Sequence, residues 1–188
     1  MTATPLTSLR LTLEPLTIEH AHEMVAVLAD PELYRHTGGA PEDLHGLRRR
    51  YERQTRGVSA DGAEQWLNWV IRLEERGSAI GYVQATVQSS AAAADLAWVV
   101  GTGHQGCGYA TEAAAAAIEW LLASGVRACT AHIAHSNGAS QAVARRLGFR
   151  PSSVIERGEV VWQRTDAAAE MPPGVSVRAS APDALRSA

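Results

Sequence analysis

Hydrophobic and polar residues alternate along several short stretches of the chain, a spacing that is typical of β-strands. Leu9, Leu11 and Leu13 alternate with polar neighbours and are followed by Pro15, which predicts a half-buried first strand. The stretch WLNWVIRLEERGSAIGYVQATVQ predicts two strands joined by a turn at 75–78, and DLAWVV predicts a fourth strand. ACTAHIAH predicts a fifth strand, and VIERGEVVWQRT predicts a closing hairpin.

The segments between these strands have the apolar spacing of helices. Thr17 can cap a first helix that ends at Asp30, and an arginine-rich second helix continues to about Gln54. An alanine-rich helix follows DLAWVV and stops near Gly125, and SNGASQAVARRLGF predicts a short helix that ends at Gly148. The predicted order is strand, two helices, three strands, helix, strand, helix and hairpin, which is a mixed α/β (α+β) fold.

Length and composition indicate one domain followed by a tail. The chain has 188 residues, of which 46% are hydrophobic, enough for one ordinary core and too few for two full domains. From about residue 166 the sequence is rich in Ala, Pro and Ser and poor in apolar residues. We therefore predict a single domain over residues 1–165 and a flexible tail over residues 166–188.

Charge excludes several classes of partner. The formal net charge of -3 and the pI of about 6.2 argue against binding to nucleic acid or to an anionic membrane. No stretch approaches the roughly 20 apolar residues that a membrane span needs. The start, MTATPLTSLR, lacks the pattern of a secretory signal, so we expect a cytoplasmic protein.

The reactive residue types narrow the chemistry further. All 17 basic residues are arginine, which removes lysine nucleophiles and Walker-type phosphate loops from consideration. Cys107 and Cys129 are too few for a disulfide framework and are not spaced as metal ligands with the histidines, so we expect no metal site. His132 and His135 face opposite sides of one strand, which argues against a joint metal site.

The loop GTGHQGCGYA after the fourth predicted strand fits two phosphate-binding patterns. In one frame, Gly101, Gly103 and Gly106 form the G-x-G-x-x-G fingerprint of dinucleotide-binding folds. That frame also needs an acidic residue at the end of the next strand, where the sequence has none. Arg127 could accept a 2′-phosphate instead, which keeps an NADP-dependent reductase as an alternative.

In the second frame the pattern is Gln105-x-x-Gly108-x-Ala110. Consecutive backbone N–H groups of residues 106–111 would then face one concavity at the N-terminus of the alanine-rich helix. Such a site binds a pyrophosphate through amides and the helix dipole and needs no lysine.

At these residues the chain resembles the GNAT superfamily of acetyl-CoA-dependent N-acetyltransferases. QGCGYA matches the central motif of that superfamily, Gln/Arg-x-x-Gly-x-Gly/Ala. GYATEA and SNGASQAVARRLGF are similar, more narrowly, to the ribosomal-protein N-terminal acetyltransferases, as are ADPELYRHTGG and AIGYVQATV. The resemblance covers roughly residues 8–165. It implies a mixed, mostly antiparallel sheet with helices on both faces and a splayed gap between the fourth and fifth strands, which receives acetyl-CoA.

The resemblance also implies a set of cofactor-binding residues. Backbone groups beside the gap would pair with the pantetheine amides, the loop would hold the pyrophosphate, and the last helix would contact pantetheine. These residues are Trp98, Val99, Val100, Gln105, Gly106, Cys107, Gly108, Tyr109, Ala110, Thr111, Asn137 and Ser140. The side chains of Trp98 and the two valines can equally be ordinary core, and Asn137 can be a plain helix cap.

Two residues are candidates for catalysis by the same resemblance. Asp95 stands where many relatives carry a glutamate, and it could take the amine proton through water. A tyrosine that protonates the thiolate in many relatives is replaced here by Ala144, and Ser140 matches the serine of the ribosomal-protein branch. Alternatively, Asp95 is a solvated strand residue and Ser140 only a helix-cap serine. Glu112 and Glu119, seven residues apart on one helix face, are typical of a solvated edge.

The acceptor side is expected at the first two helices and the closing hairpin, with Tyr34, Arg35 and His36 as substrate-binding residues. The predicted activity is transfer of an acetyl group to a primary amine of a small molecule or a peptide N-terminus, by a monomer or homodimer. A non-catalytic acyl-CoA sensor is the second hypothesis.

Overall fold

A computed structural model describes residues 1–90 and 92–165. The predicted flexible tail over residues 166–188 therefore lies outside the described residues. The strands, in chain order, are β1 (Leu6–Thr7), β2 (Leu11–Pro15), β3 (Glu64–Leu73), β4 (Ala79–Gln88), β5 (Ala93–Val100), β6 (Ala128–Ala134), β7 (Arg150–Glu156) and β8 (Glu159–Thr165). The α-helices are α1 (Ala21–Val27), α2 (Leu44–Gln54), α3 (Tyr109–Ala123) and α4 (Gly138–Arg146).

The predicted order of elements is confirmed, with two differences at the N-terminal end. The two-residue strand β1 pairs with β2 and is too short to produce a hydrophobic pattern. The helix expected after Thr17 begins as a 3-10 turn at Ile18–His20, because the side chain of Thr17 and that of His20 form a capping box around this turn. The helix α1 proper starts only at Ala21.

Side chains cap the next helices as the sequence suggests. Asp43 opens α2 by accepting a hydrogen bond from the backbone N–H of Gly46 at 2.7 Å. Asn137 opens α4 in the same way, with its Oδ1 3.0 Å from the backbone nitrogen of Ser140. Such caps satisfy N–H groups that the first helical turn leaves unpaired.

All eight strands of the described ranges form one sheet in the order β1-β2-β3-β4-β5-β6-β8-β7. Every neighbouring pair is antiparallel except β5 and β6, which run parallel. The parallel pairing covers only three positions, from Ala93↔Ala128 to Asp95↔Thr130, and the two strands then separate. The gap predicted between the fourth and fifth strands is thereby confirmed. These two strands are β5 and β6 in the structure, because the short strand β1 was not predicted.

Helices cover both faces of the sheet, as predicted. The helices α3 and α4 pack on one face over the larger apolar core, where Trp69, Ile118 and Leu121 have no exposed surface. On the other face, α1 and α2 bury a smaller cluster around Met24 and Leu47.

Beyond that smaller cluster, the face that carries α1 and α2 becomes polar. The register places polar side chains in adjacent rows across four strands, and each of them is 8% exposed or less: Asn68, Gln84, Thr86, Asp95 and Thr130. Burial of so many polar groups on one side of a sheet is unusual for a purely structural surface. The polar rows end where β5 and β6 separate.

None of the helices in the described ranges has the length and apolar character that crossing a membrane requires.

Candidate active site

The loop between β5 and α3 has the geometry of the second phosphate-binding frame. Gly106 and Gly108 have φ angles of +76° and +82°, a region that favours glycine, whereas Gly101 and Gly103 have ordinary negative angles. Gly108 is the N-cap of α3, so the free backbone N–H groups of the helix begin directly after it. Gln105 supports the turn, because its Nε2 donates to the carbonyl oxygen of Val100 at 3.0 Å.

Side chains from the β1–β2 edge of the sheet hold this loop in place. The carboxylate of Glu112 accepts hydrogen bonds from the hydroxyl of Ser8 at 2.8 Å and from Nε of Arg10 at 2.7 Å. The Arg10 guanidinium also donates to the carbonyl oxygen of Cys107 at 3.2 Å and lies 4.6 Å from the centre of the Tyr109 ring. Ser8 and Arg10, about 100 residues away in sequence, therefore anchor the peptide between Cys107 and Gly108 through Glu112.

The expectation that Glu112 marks a solvated edge is wrong. Burial raises the pKa of this carboxyl, but the hydrogen bonds from Ser8 and Arg10 outweigh that effect and hold the pKa below its usual range. Glu112 is therefore ionised and anchored in the first turn of α3, where the helix dipole also favours a negative charge. Helical spacing placed it on one face with Glu119 but could not reveal its partners Ser8 and Arg10 in the segment between β1 and β2.

The gap beyond Asp95 leaves backbone groups of β5 without a neighbouring strand on the β6 side. Their side chains are nevertheless part of the fold: Trp98 packs edge-to-face against Phe149 at 6.4 Å, and Val99 packs on the α1 and α2 cluster. The other edge of β5 is locked to β4, and a Cβ at Gly81 would lie 2.1 Å from the carbonyl oxygen of Val99. Core side chains and a free backbone edge thus coexist at Trp98, Val99 and Val100.

At the start of α4, Asn137 and Ser140 lie beside the end of β6. Asn137 acts as the helix cap, and Ser140 is half-buried in the first turn. The hydroxyl of Ser140 bonds to none of the described residues, so it is available to a ligand. Ala144 is fully buried one turn later.

Asp95 is buried at the point where β5 and β6 separate. It is 7% exposed, and its Oδ1 accepts a hydrogen bond from the hydroxyl of Thr130 on β6. Burial raises the pKa of Asp95 from 3.8 to about 7, and the charges of Glu156 and Glu64 act in the same direction. The alternative of a solvated strand residue does not hold for Asp95, because its carboxyl is enclosed.

His132, on β6, lies on the same face as Asp95. Its Nε2 is 3.8 Å from Oδ1 of Asp95, and burial lowers the pKa of the imidazole below its usual range. Among the described residues, neither this nitrogen nor Oδ2 of Asp95 has a hydrogen-bond partner. Sequence reasoning missed His132 and Thr130, because the pairing with Asp95 exists only through the register of two strands 35 residues apart.

The three predicted acceptor-side residues lie in the connection between α1 and α2. Tyr34 donates its hydroxyl proton to the carbonyl oxygen of Leu28 at 3.1 Å, and Arg35 pairs with Glu32 at 2.8 Å. His36 reaches the gap, with its Nδ1 3.1 Å from the hydroxyl of Ser136 just after β6. The structure therefore brings His36 to the edge of the gap, while the polar ends of Tyr34 and Arg35 have local partners.

The same loop contacts both sides of the gap. Asp30, at its start, accepts a hydrogen bond from Thr102 after β5 at 2.8 Å, and His36 contacts Ser136 after β6. The loop therefore connects the open ends of the two separated strands on the α1 and α2 face.

Comparison with known proteins assigns the family. The family model of the acetyltransferase (GNAT) domain matches residues 10–150. The chain belongs to the GNAT acetyltransferase family. It is an acetyl-CoA-dependent N-acetyltransferase by this assignment, and the resemblance inferred from QGCGYA and SNGASQAVARRLGF is confirmed.

Solved structures of other GNAT acetyltransferases have the same fold. The acetyltransferase from Agrobacterium tumefaciens is 25% identical, with a TM-score of 0.70 over 88% of this chain and 96% of that chain. RimL, a ribosomal L7/L12 α-N-protein acetyltransferase in complex with coenzyme A, is 17% identical, with a TM-score of 0.74 over 88% of this chain and 100% of that chain.

The microcin C7 self-immunity acetyltransferase MccE, in complex with acetyl-CoA and AMP, is 17% identical, with a TM-score of 0.70 over 85% of this chain and 94% of that chain. A search of curated protein sequences finds no match.

The GNAT fold does not support the dinucleotide frame of the loop. A dinucleotide-binding fold requires a doubly wound parallel sheet, and six of the seven neighbouring strand pairs of the described residues are antiparallel. Within the described residues, no group of three or more His, Cys, Asp or Glu side chains could hold a metal ion.

Proposed function

We propose that this acetyltransferase moves the acetyl group of acetyl-CoA directly to a primary amine of a small molecule or of a peptide N-terminus. The observation that carries the proposal is the position of Asp95, a buried carboxyl at the point where β5 and β6 begin to separate. A thioester lying in the gap would therefore meet a proton acceptor at its narrow end.

The residues present fit coenzyme A. The free backbone edge of Trp98, Val99 and Val100 suits the two amides of pantetheine, which would be satisfied like an added strand. The loop from Gln105 to Thr111 offers a concavity with glycine at both positive-φ positions, which suits a pyrophosphate at a helix N-terminus. Asn137 and Ser140 would contact the pantetheine end from α4.

In the proposed reaction Asp95 accepts one proton from the ammonium, which gives a neutral amine. The nitrogen then forms a bond to the thioester carbon, and the carbon–sulfur bond breaks. The second proton of the nitrogen is lost to solvent as the amide forms, and Ser140 passes a proton to the departing thiolate and regains one from solvent, so that an amide and a free thiol result. An Asp95 pKa near 7 suits a base that works at neutral pH.

The acceptor is proposed at the level of chemical class. RimL is named for a ribosomal protein α-amine and MccE for self-immunity to microcin C7, so structures of the same fold serve a protein terminus and an antibiotic. We expect Tyr34, Arg35 and His36 to form part of the acceptor wall. We further propose that the enzyme acts in the cytoplasm as a monomer or homodimer, without a nucleic-acid or membrane partner.

Calorimetric titration with acetyl-CoA and with NADPH tests the cofactor. We expect saturable binding of acetyl-CoA and no binding of NADPH. NADPH binding in the absence of acetyl-CoA binding would overturn the proposal.

A thiol-release assay tests the reaction. The enzyme and acetyl-CoA are incubated with a free N-terminal tetrapeptide, spermidine, an aminoglycoside and single amino acids, and free coenzyme A is measured. Release above the rate without amine supports transfer.

A non-catalytic acyl-CoA sensor is favoured by one observation, the buried Ala144 at the position of the acid tyrosine in many relatives. Tight acetyl-CoA binding without thiol release from any amine of the panel would support the sensor and reject the transferase.

A further inference from the structure

Two buried polar atoms lie without a hydrogen-bond partner among the described residues at the narrow end of the gap. Oδ2 of Asp95 and Nε2 of His132 are both buried, and neither has a partner among the described residues. A buried polar atom without a partner costs free energy, so native structures rarely keep one unless a ligand or water completes it. The other carboxylate oxygen, Oδ1, is held by the Thr130 hydroxyl and so fixes the direction of Oδ2.

The polar groups meet on only one side of the sheet. Asp95, Thr130 and His132 share the face that carries α1 and α2. On the opposite face, the intervening residues of the same strands, Leu96, Ala131 and Ile133 among them, belong to the large apolar core. An acceptor that brings a charged nitrogen to the narrow end must therefore arrive on the α1 and α2 face.

The surrounding charges favour a cation at this point. Besides Asp95 itself, Glu156 on β7 and Glu64 on β3 contribute negative charge, and both raise the pKa of the Asp95 carboxyl. Glu156 acts on His132 as well, opposed by Arg157 in the β7–β8 turn. The neutral imidazole has one ring nitrogen free to accept a hydrogen bond, since burial opposes its protonation.

We propose that Oδ2 of Asp95 and Nε2 of His132 together bind the ammonium group of the acceptor, so that the substrate class is the primary amine in its protonated form. The site rests on the function proposed above and extends it. A primary ammonium has three N–H groups, of which two meet these acceptors and the third is left for loss to solvent when the amide forms. A secondary amine would lose one of these contacts or the free N–H.

His132 is then a substrate-binding residue and Thr130 a positioning residue. After the ammonium is bound, one proton passes to Asp95, and the hydrogen bond to His132 holds the nitrogen while it turns its new lone pair from Asp95 toward the thioester carbon. No oxidant or further reactant is needed, because the proton lost to Asp95 returns to solvent after the amide leaves.

The test uses the full chain and the best primary amine of the thiol-release panel. His132→Leu removes the acceptor nitrogen, and we expect the KM for that amine to rise about tenfold or more, the range for a hydrogen bond to a charged group. His132→Gln retains an acceptor oxygen and should recover part of the loss. His45→Leu on the exposed side of α2 is the matched control and should change nothing.

A second measurement compares the amine with its N-methyl derivative. The wild-type enzyme should prefer the primary amine, and His132→Leu should reduce that preference because one of the two contacts is gone. Thr130→Val, which keeps the shape of the side chain, should move the acid limb of the kcat/KM profile to higher pH, because a hydrogen-bond donor to the carboxylate is lost. Thr12→Val on β2 is the control for that variant.

The outcomes separate this proposal from the one on which it rests. Wild-type enzyme that releases no thiol with any amine overturns the proposed function and with it the ammonium site. Active wild-type enzyme whose KM and primary-amine preference are unchanged in His132→Leu overturns the ammonium site alone. In each case acetyl-CoA affinity, measured by calorimetry, shows that the variant is folded.

Discussion

In the proposed reaction one hydroxyl group, that of Ser140, protonates the departing thiolate. Among the described residues this hydroxyl has no hydrogen-bond partner, and the backbone nitrogen of Ser140 is already used by the Asn137 cap. Ser140→Ala should therefore leave α4 intact and remove only the donor. We expect kcat to fall about 100-fold, the lower end of the range for general acid catalysis, with acetyl-CoA affinity nearly unchanged.

Steady-state kinetics and calorimetry check this prediction. Ser124→Ala, at the end of α3, is the control, because Ser124 only terminates that helix. Unchanged turnover in Ser140→Ala would remove this serine from catalysis.

The buried carboxyl of Asp95 should also make the free energy of unfolding depend on pH. Its pKa in the folded protein is about 7 against 3.8 ordinarily, so the folded state holds the proton more tightly than the unfolded state does. That contribution to stability is complete below pH 3.8 and is lost as the pH rises through 7. Asp95→Asn removes the ionisation, and it should exceed the wild type in free energy of unfolding by up to about 4 kcal/mol at pH 8.

Urea unfolding of both proteins between pH 4 and pH 8 measures the difference. The advantage of Asp95→Asn should disappear toward pH 4, where the wild-type carboxyl is protonated in the folded state. A difference that does not depend on pH would contradict the raised pKa.

At the scale of elements, the proposed phosphate site at the start of α3 is tied to the segment between β1 and β2. Glu112 holds Arg10, and Arg10 holds the carbonyl of Cys107 within the loop. Glu112→Gln weakens this chain of contacts, and we expect acetyl-CoA affinity to fall roughly fivefold, in line with about 1 kcal/mol for a partly exposed ion pair. Glu119→Gln, on the exposed surface of the same helix, is the matched control. Equal affinities for the two variants would exclude the anchoring role.

The elements show what the sequence could and could not predict. The loop frame was predictable, because glycine at 106 and 108 is needed for backbone conformations that other residues avoid. Helix ends at Asn137 and Gly148 followed from capping chemistry. The contact of Glu112 with Ser8 was not predictable, because it joins segments 104 residues apart and leaves no periodic signal.

At the scale of the whole molecule, the polar rows arise from the pairing of four strands, and no single segment of the chain contains them. Asn68, Gln84, Thr86, Asp95 and Thr130 contribute one or two polar positions per strand, each of which alone resembles an ordinary strand residue. Only the register of four strands brings them beside the gap. The fold class and the gap followed from motif resemblance, whereas the partners of Asp95 required the assembled sheet.

Binding in the gap should stabilise the whole domain, because β5 and β6 are joined directly at only three positions. Acetyl-CoA at 100 times its Kd adds about 2.7 kcal/mol of unfolding free energy, which corresponds to a Tm increase of about 5–10 °C.

Gly108→Val should abolish the increase, because a β-branched side chain at φ +82° distorts the turn and obstructs the phosphates. Gly103→Val should retain it, because Gly103 has open space around it and lies outside the proposed cradle. Thermal unfolding with and without acetyl-CoA measures both. Loss of the increase in Gly103→Val with retention in Gly108→Val would return the phosphate site to the dinucleotide frame.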